Sequence, residues 1–420
     1  MNNSTNTPES LAKVWSRLNP HPIVRGEGSC VFDVHGKQYI DFTCGIGVTS
    51  TGHCHPKVVA AVQQQAEHLL FGQINCMLPQ VTLQYCAKLT EVTPDSIDTF
   101  FFSNSGAEAV EGAVKLAKIA TGRTNVIAFD GGFHGRTAMT MALTSSKSVF
   151  RAGYQPLPAG VVIAPFPNTY RYRWDNQAGI VDYCLSQLDQ ILNSQSTPDE
   201  TAAMIVEPVL GEGGFIPTPP RFLQGLRKIC DATGILLIVD EVQTGFGRTG
   251  NMWGHSSSNI VPDIMTMAKG IASGLPLSVV GASRDLMNKW PSGAHGGTYG
   301  GGSALAMVAA IATLDIIQDE NLIENVVAMG NHLRKRLQEV VANTDLPTEV
   351  RGPGLMIGIE LGTPEEPNSE MASRIQRECL ERGLMLLTCG PNGNVIRWVP
   401  PLNVTKSEID SAVDIFRSCF

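Results

Sequence analysis

The sequence predicts an α/β fold: a large lobe with a mostly parallel central sheet flanked by helices, and a smaller α+β lobe. Three observations carry this. From about residue 57 short apolar strands alternate with helical segments, as in sheets whose parallel strands are joined by helical crossovers. The chain runs to 420 residues, and single cores rarely grow past about 300, so two lobes are expected. The two ends also differ from the middle, the first being hairpin-like and the last helical and then strand-like.

The elements follow in order. "VFDVHGKQYIDF" (31–42) alternates around a His-Gly turn and reads as a hairpin. "DTFFFS" precedes the helical "GAEAVEGAVKLAKIA", and "NVIAF" precedes a glycine-rich turn. "TAAMIVEP" is followed by the helical "FLQGLRKICDATG" and then by "ILLIVDE". After about residue 304, "ALAMVAAIATLDIIQDE" and "LIENVVAMGNHLRKRLQEVVANT" read as long helices, before "GLMIGIEL" and "NVIRWVPPL" return to strand character. Residues 193–200 and 362–370 read as surface loops. Residues 61–304 are assigned to the large lobe, and 1–60 with 305–420 to the small one.

Composition narrows the function. The net charge of −8 gives no reason to expect nucleic acid or an anionic membrane as a partner, so an anionic substrate needs local arginines. No apolar run approaches the roughly 20 residues that span a bilayer. The first ten residues, "MNNSTNTPES", are polar and read as a frayed tail, not a signal peptide. Ten scattered cysteines fit a reducing cytosol, so a soluble cytoplasmic protein is expected. His53-Cys54-His55 is the one tight Cys/His cluster. No further ligand pair has matching spacing, so no metal is expected.

"GILLIVDEVQTGFGRTG" (234–250) holds two competing signals. Gly245, Gly247 and Gly250 spell a dinucleotide fingerprint, which requires the glycines directly after the strand and a helix opening on the third. Here five residues intervene, "NMWGHSSSN" follows without an amphipathic period, and Asp263 precedes an apolar stretch instead of ending a strand. The fingerprint is a decoy. Asp240, at the end of a buried strand, points into the crevice where α/β sheets bind ligands, although alone it also fits a helix cap or surface ion pair.

"DIMTMAKGIASGLPL" adds Lys269, which ends an apolar run and is followed by Gly270, Ala272, Ser273 and Gly274. A lysine so placed is suited to lose its proton and form a Schiff base. An aspartate for a pyridinium nitrogen with a lysine for an aldehyde is the pyridoxal phosphate arrangement. Ser105-Gly106-Ala107, between a strand and a strong helix, offers free amides for a phosphate, and alone fits an N-cap turn equally well.

In the order and spacing of these pieces the chain resembles the class III pyridoxal-phosphate aminotransferases of fold type I, and among them the 4-aminobutyrate aminotransferases. The resemblance runs nearly end to end, through "GKQYIDFTCGIGVTSTGHCHP", "NSGAEAVEGAVKLAK", "FHGRT", "EPVLGEGGF", "DEVQTGFGRTG", "AKGIASGLPL", "GGTY" and "CGPNGNVIRWVPPL". It implies pyridoxal 5'-phosphate bound to Lys269, which also moves the proton, with Asp240 on the ring nitrogen. Gln243 would meet the ring hydroxyl, Phe133 would stack on the ring, and Ser105, Gly106 and Ala107 would hold the phosphate. His134, Val242 and Glu207 complete the implied cofactor pocket. Thr298 would reach a neighbouring subunit's phosphate, implying a homodimer with shared sites and leaving a tetramer open.

Arg136, in the glycine-rich "GGFHGRT", suits a bidentate carboxylate clamp, and a structural ion pair fits it too. Arg397, among apolar residues, wants a partner, and Glu207 is the natural candidate. The family alternates such a pair. Arg136 would hold the distal carboxylate of either substrate, and Arg397 would be released only for the α-carboxylate of glutamate. Ile46 and Gln73 would line the substrate channel. The implied reaction passes the amino group of 4-aminobutyrate to 2-oxoglutarate by a ping-pong mechanism, giving succinate semialdehyde and glutamate. An amino-acid racemase or epimerase, and an acetylornithine, ornithine or broad ω-amine aminotransferase, stay open on this scaffold. Two departures bear on substrate: Gly302-Ser303 stands where relatives commonly have Asn-Pro, and Phe133 where they often have tyrosine.

Overall fold

The computed structural model describes residues 10–172, 176–344, 346 and 348–420. Nearly all of the expected polar tail at 1–10 thus falls outside the described residues. The N-terminal hairpin forms as β2 (Cys30–Asp33) and β3 (Gln38–Asp41), preceded by β1 (Ile23–Glu27). Gly36 sits at φ +82 in its tight turn, a conformation that favours glycine.

The large sheet uses β4 (Thr99–Ser103), β5 (Asn125–Phe129), β6 (Val161–Ala164) and β7 (Thr201–Val206). A two-stranded ribbon, β8 (Val209–Leu210) and β9 (Ile216–Pro217), follows, and β10 (Leu236–Asp240), β11 (Ile264–Met267) and β12 (Ser278–Ala282) complete the sheet. Its strand order is β4-β12-β11-β10-β7-β5-β6, with β12 antiparallel to both neighbours and the other strands parallel. The sheet is therefore mostly parallel, as the alternation of strands and helices predicts.

Side-chain alternation explains why both faces are covered. Phe129, Met204, Val206, Leu237 and Val239 share one core with Leu188 and Leu226 of the helices Gln177–Ser194 and Pro220–Thr233. Their strand neighbours Ala128, Ala203, Ile205 and Ile238 face the opposite way, onto Val110, Ala113 and Ala117 of the helix Gly106–Thr121. A strand buried on both faces reads as a continuous apolar run, and β7 is buried throughout.

In the C-terminal segment, β13 (Thr348–Arg351), β14 (Ile357–Leu361), β16 (Leu387–Cys389) and β17 (Val395–Trp398) pair in the order β13-β14-β17-β16, all antiparallel. The short β15 (Leu384–Met385) instead runs parallel to β3, joining the C-terminal segment to the N-terminal hairpin. Along β17, Ile396 and Trp398 enter the main core, whereas Val395 joins a small cluster with Phe215 and Cys389. Period-two alternation puts Arg397 on that second face. Among the described residues, no helix is long and apolar enough to cross a membrane.

Candidate active site

The carboxyl ends of the parallel strands open on a cavity of about 510 Å³ whose wall includes Lys269, Asp240, Glu207, Glu212 and Arg136. Sheet topology explains the convergence. Asp240 ends β10, Glu207 follows β7, and Lys269 follows β11 by two residues. Lys269 adopts φ +50, a left-handed conformation that costs a non-glycine residue about 1–3 kcal/mol and tends to collect at functional sites. A Cβ on Gly270 would come within 2.3 Å of the Ser50 hydroxyl, so a larger residue would disturb this turn. Burial pushes the Lys269 amine below its ordinary pKa, against the opposing pull of Glu212, Glu207 and Asp240. Among the described residues it has no ion-pair partner within reach.

Asp240 is held by three donors. Thr266 Oγ1 and the Val242 amide reach Oδ1 at 3.0 and 3.1 Å, and Oδ2 lies 2.7 Å from His134 Nδ1. Burial alone would lower the His134 pKa; the Asp240 carboxylate outweighs it and raises the imidazole above its usual value. Glu207 accepts from the amides of Phe133 (2.8 Å) and Gly211 (3.0 Å). Burial, helped by the charge of Asp240, carries the Glu207 carboxyl up to about 7.

The residues expected to take a phosphate open a helix at the cavity. Ser105 caps the helix Gly106–Thr121, accepting from the Glu108 amide at 3.3 Å, and Asn104, Ser105, Gly106 and Ala107 face the cavity. Gly106 is required for a reason the sequence does not show: a Cβ there would meet Val242 Cγ1 at 2.9 Å. Phe133 lines the cavity and packs edge-on against Phe150, their centroids 5.2 Å apart. Gln243 also lines it, and its Oε1 is buried without a hydrogen-bond partner. An amine, a buried carboxylate, an amide oxygen with no partner among the described residues and a helix N-terminus around one cavity fit pyridoxal 5'-phosphate. Thr298 is exposed and outside the wall; its Oγ1 accepts from Asn104 Nδ2 at 2.6 Å.

Arg136 is exposed at the cavity and makes no ion pair among the described residues. Arg397 is only 6% exposed, and its Nη1 donates to Glu212 Oε1. This corrects the expected pairing with Glu207, whose oxygens are already engaged by the Phe133 and Gly211 amides. Glu212 lies in the turn between β8 and β9, where the Gly390 amide donates to its backbone oxygen at 2.9 Å and ties it to the β16–β17 turn. Burial would raise the Glu212 pKa, yet Arg397 outweighs it and holds the carboxyl below its ordinary range. The Arg397 Nε stays buried without a partner.

Ile46, at φ +69, lines a narrow cleft with Arg397, Gln243 and Phe215, whereas Gln73 lies outside the cavity wall with its side chain turned back onto Asn75. The sequence reading missed Glu212 and Thr266. Glu212 stood in view in "EPVLGEGGF", an acidic residue between glycines. The Gly-x-Gly-x-x-Gly stretch is a buried turn, with Gly247 against Leu402 and Ile323. His53 pairs with Asp41 at 2.8 Å and His55 with Glu320 at 3.3 Å. Asp263 pairs with Arg227 and accepts from the Leu237 amide.

Residues 12–420 match the family description "Aminotransferase class-III". The 5-aminovalerate aminotransferase of Pseudomonas aeruginosa is 40% identical over 99% of this chain and 98% of its own. The 4-aminobutyrate aminotransferase of Escherichia coli K12 is 37% identical over 95% and 94%. An acetylornithine aminotransferase of Archaeoglobus fulgidus is 40% identical over 94% of each. Among solved structures, an amine transaminase from an uncultivated Pseudomonas species in its PLP-bound form superposes with TM-score 0.91, at 30% identity and 99% coverage of both chains.

Proposed function

The chain belongs to the class III aminotransferases, enzymes that work with pyridoxal 5'-phosphate, and on that premise we propose that it transfers the terminal amino group of an ω-amino acid to 2-oxoglutarate. The donor is 4-aminobutyrate or its homologue one carbon longer, and the products are the ω-semialdehyde and glutamate. One observation carries this reading: the cavity wall includes Arg136, which has no ion pair among the described residues, and a buried Arg397 neutralised by Glu212 lies nearby. An ω-amino acid has one carboxylate, far from its amine, and glutamate has two. Arg136 binds the distal carboxylate of both. Arg397 remains paired for the first substrate and turns to the α-carboxylate of the second, which suits alternating half-reactions.

When bound, the cofactor supplies an aldehyde for the amino group and a ring that draws electrons from the substrate carbon. Lys269 would hold this group through Nζ, and the amine, made less basic by burial, would hold and move the proton. Asp240, fixed by Thr266, His134 and the Val242 amide, would meet the ring nitrogen. Phe133 would stack on the ring, Gln243 would meet its hydroxyl, and the amides at Ser105, Gly106 and Ala107 would take the phosphate. The protein acts as a cytoplasmic homodimer, Thr298 serving the phosphate of the adjoining subunit. Exposed Leu70, Phe71, Met77 and Leu78, close in sequence to Gln73, support such an interface.

A donor panel tests the reading. With 2-oxoglutarate as acceptor, kcat/KM is measured for β-alanine, 4-aminobutyrate, 5-aminovalerate and N-acetylornithine. The C4 and C5 ω-amino acids are expected to lead. A clear preference for N-acetylornithine would overturn the proposed donor while leaving the family standing.

A further inference from the structure

Away from the cavity, two thiols meet that the proposed chemistry does not use. Cys379 lies in the last turn of the helix Ser369–Glu381, and Cys419 lies just past the helix Lys406–Arg417. Both are buried, at 0% and 1% exposure, with their Sγ atoms 3.7 Å apart. That is van der Waals contact, against the roughly 2.05 Å of a disulfide bond. Arg382 Nη1 donates to Cys419 Sγ at 3.4 Å and also pairs with Glu378 at 3.1 Å, so a polar side chain borders the two sulfurs. The turn over Cys419 is held by the bonds Cys419 N to Phe416 O (3.0 Å) and Phe420 N to Arg417 O (3.4 Å), and Phe420 is 39% exposed. The Ser418 amide also bonds to the Asp414 and Ile415 oxygens, and this turn must open for the sulfur to meet solvent.

We propose that Cys379 and Cys419 form an oxidant-sensing dithiol site, which hydrogen peroxide closes to an intramolecular disulfide. The Cys419 thiolate attacks one peroxide oxygen, the O–O bond breaks, and hydroxide leaves as water with the thiol proton. Cys379 sulfur then attacks the sulfenic sulfur, the S–O bond breaks, and a second water departs. Two thiols and one peroxide thus give one disulfide and two waters, the sulfurs oxidised and the peroxide oxygens reduced. The closed loop from 379 to 419 contains β15, β16 and β17, and so latches the strand that carries Arg397 between its two supporting helices.

The test uses the full chain loaded with pyridoxal 5'-phosphate and carrying Cys54→Ser and Cys76→Ser, because those two thiols are exposed. After hydrogen peroxide treatment the protein is alkylated in denaturant, digested and analysed by mass spectrometry. The expected product is a 379–419 linked peptide, reversed by dithiothreitol and absent in Cys419→Ser, together with an at least twofold longer half-life of donor turnover on heating. Alkylated thiols at both positions, or Cys419 as sulfonic acid without linkage, would overturn the site. A linked protein with an unchanged half-life would overturn the latch.

Discussion

Replacing Glu212 by glutamine separates a switch from an ordinary ion pair. Arg397 is buried, the Glu212 side chain is 12% exposed, the two are hydrogen-bonded to each other, and Arg397 Nε has no partner among the described residues. Glu212→Gln keeps an acceptor for Nη1 and removes the charge, leaving an uncompensated buried guanidinium. Breaking a buried pair from one side costs about 3–5 kcal/mol, and the retained acceptor puts this variant near about 3 kcal/mol of lost stability. The effect on substrates has opposite signs. A donor with one carboxylate now meets a naked cation, whereas glutamate supplies the missing charge without first displacing Glu212. A charged hydrogen bond is worth about 1.5–3 kcal/mol, so the ratio of glutamate to 4-aminobutyrate half-reaction rates shifts toward glutamate by about 10- to 100-fold. The assay is stopped-flow absorbance of the loaded enzyme mixed with each donor alone. Equal slowing of both half-reactions would show that the pair only supports the fold.

Three further outcomes are expected. Gly106→Ala drives a Cβ to 2.9 Å from Val242 Cγ1, and overpacking of about 1–3 kcal/mol weakens cofactor retention by equilibrium dialysis. Val242→Ala in the same chain restores it, and failure to restore would place the strain elsewhere. Thr266→Val removes a 3.0 Å donor to Asp240 and alters the visible spectrum of the loaded enzyme, while Thr266→Ser keeps it; an unchanged spectrum in the valine variant would remove Thr266 from the positioning of Asp240. For Glu207, the folded pKa of about 7 lies above the ordinary 4.5. Its contribution to stability is therefore full below about 4.5 and lost as pH rises through about 7. Urea denaturation of the cofactor-free protein should show wild type losing ground to Glu207→Gln across that window, with a constant gap above it; a gap independent of pH would contradict the burial of this carboxyl.

Much of this is legible in the sequence itself, because the signals are local. Apolar runs bounded by turns marked β5, β7 and β10, and a carboxylate ending β10 with a lysine just after β11 marked the cavity. The partner of Arg397 was not legible. Glu207 and Glu212 stand five residues apart, and which one faces β17 depends on the turn between β8 and β9 and on its bond to Gly390. Nor did the sequence distinguish Gly106 as a phosphate-approach glycine from Gly106 as a glycine forced by Val242, since the two lie far apart in the chain. The reversed β12 was hidden too. Antiparallel and parallel central strands share the same apolar composition, and direction is set by the connection.

A single half-reaction is decisive for the proposed transamination. Purified protein loaded with pyridoxal 5'-phosphate is given 4-aminobutyrate or 5-aminovalerate without any keto acid, and the visible cofactor band is followed while products are analysed. The prediction is loss of the band with release of the semialdehyde, and its return on adding 2-oxoglutarate as glutamate forms. A band that persists with both donors, while an α-amino acid loses its stereochemistry, would contradict it and make this cavity a racemase site.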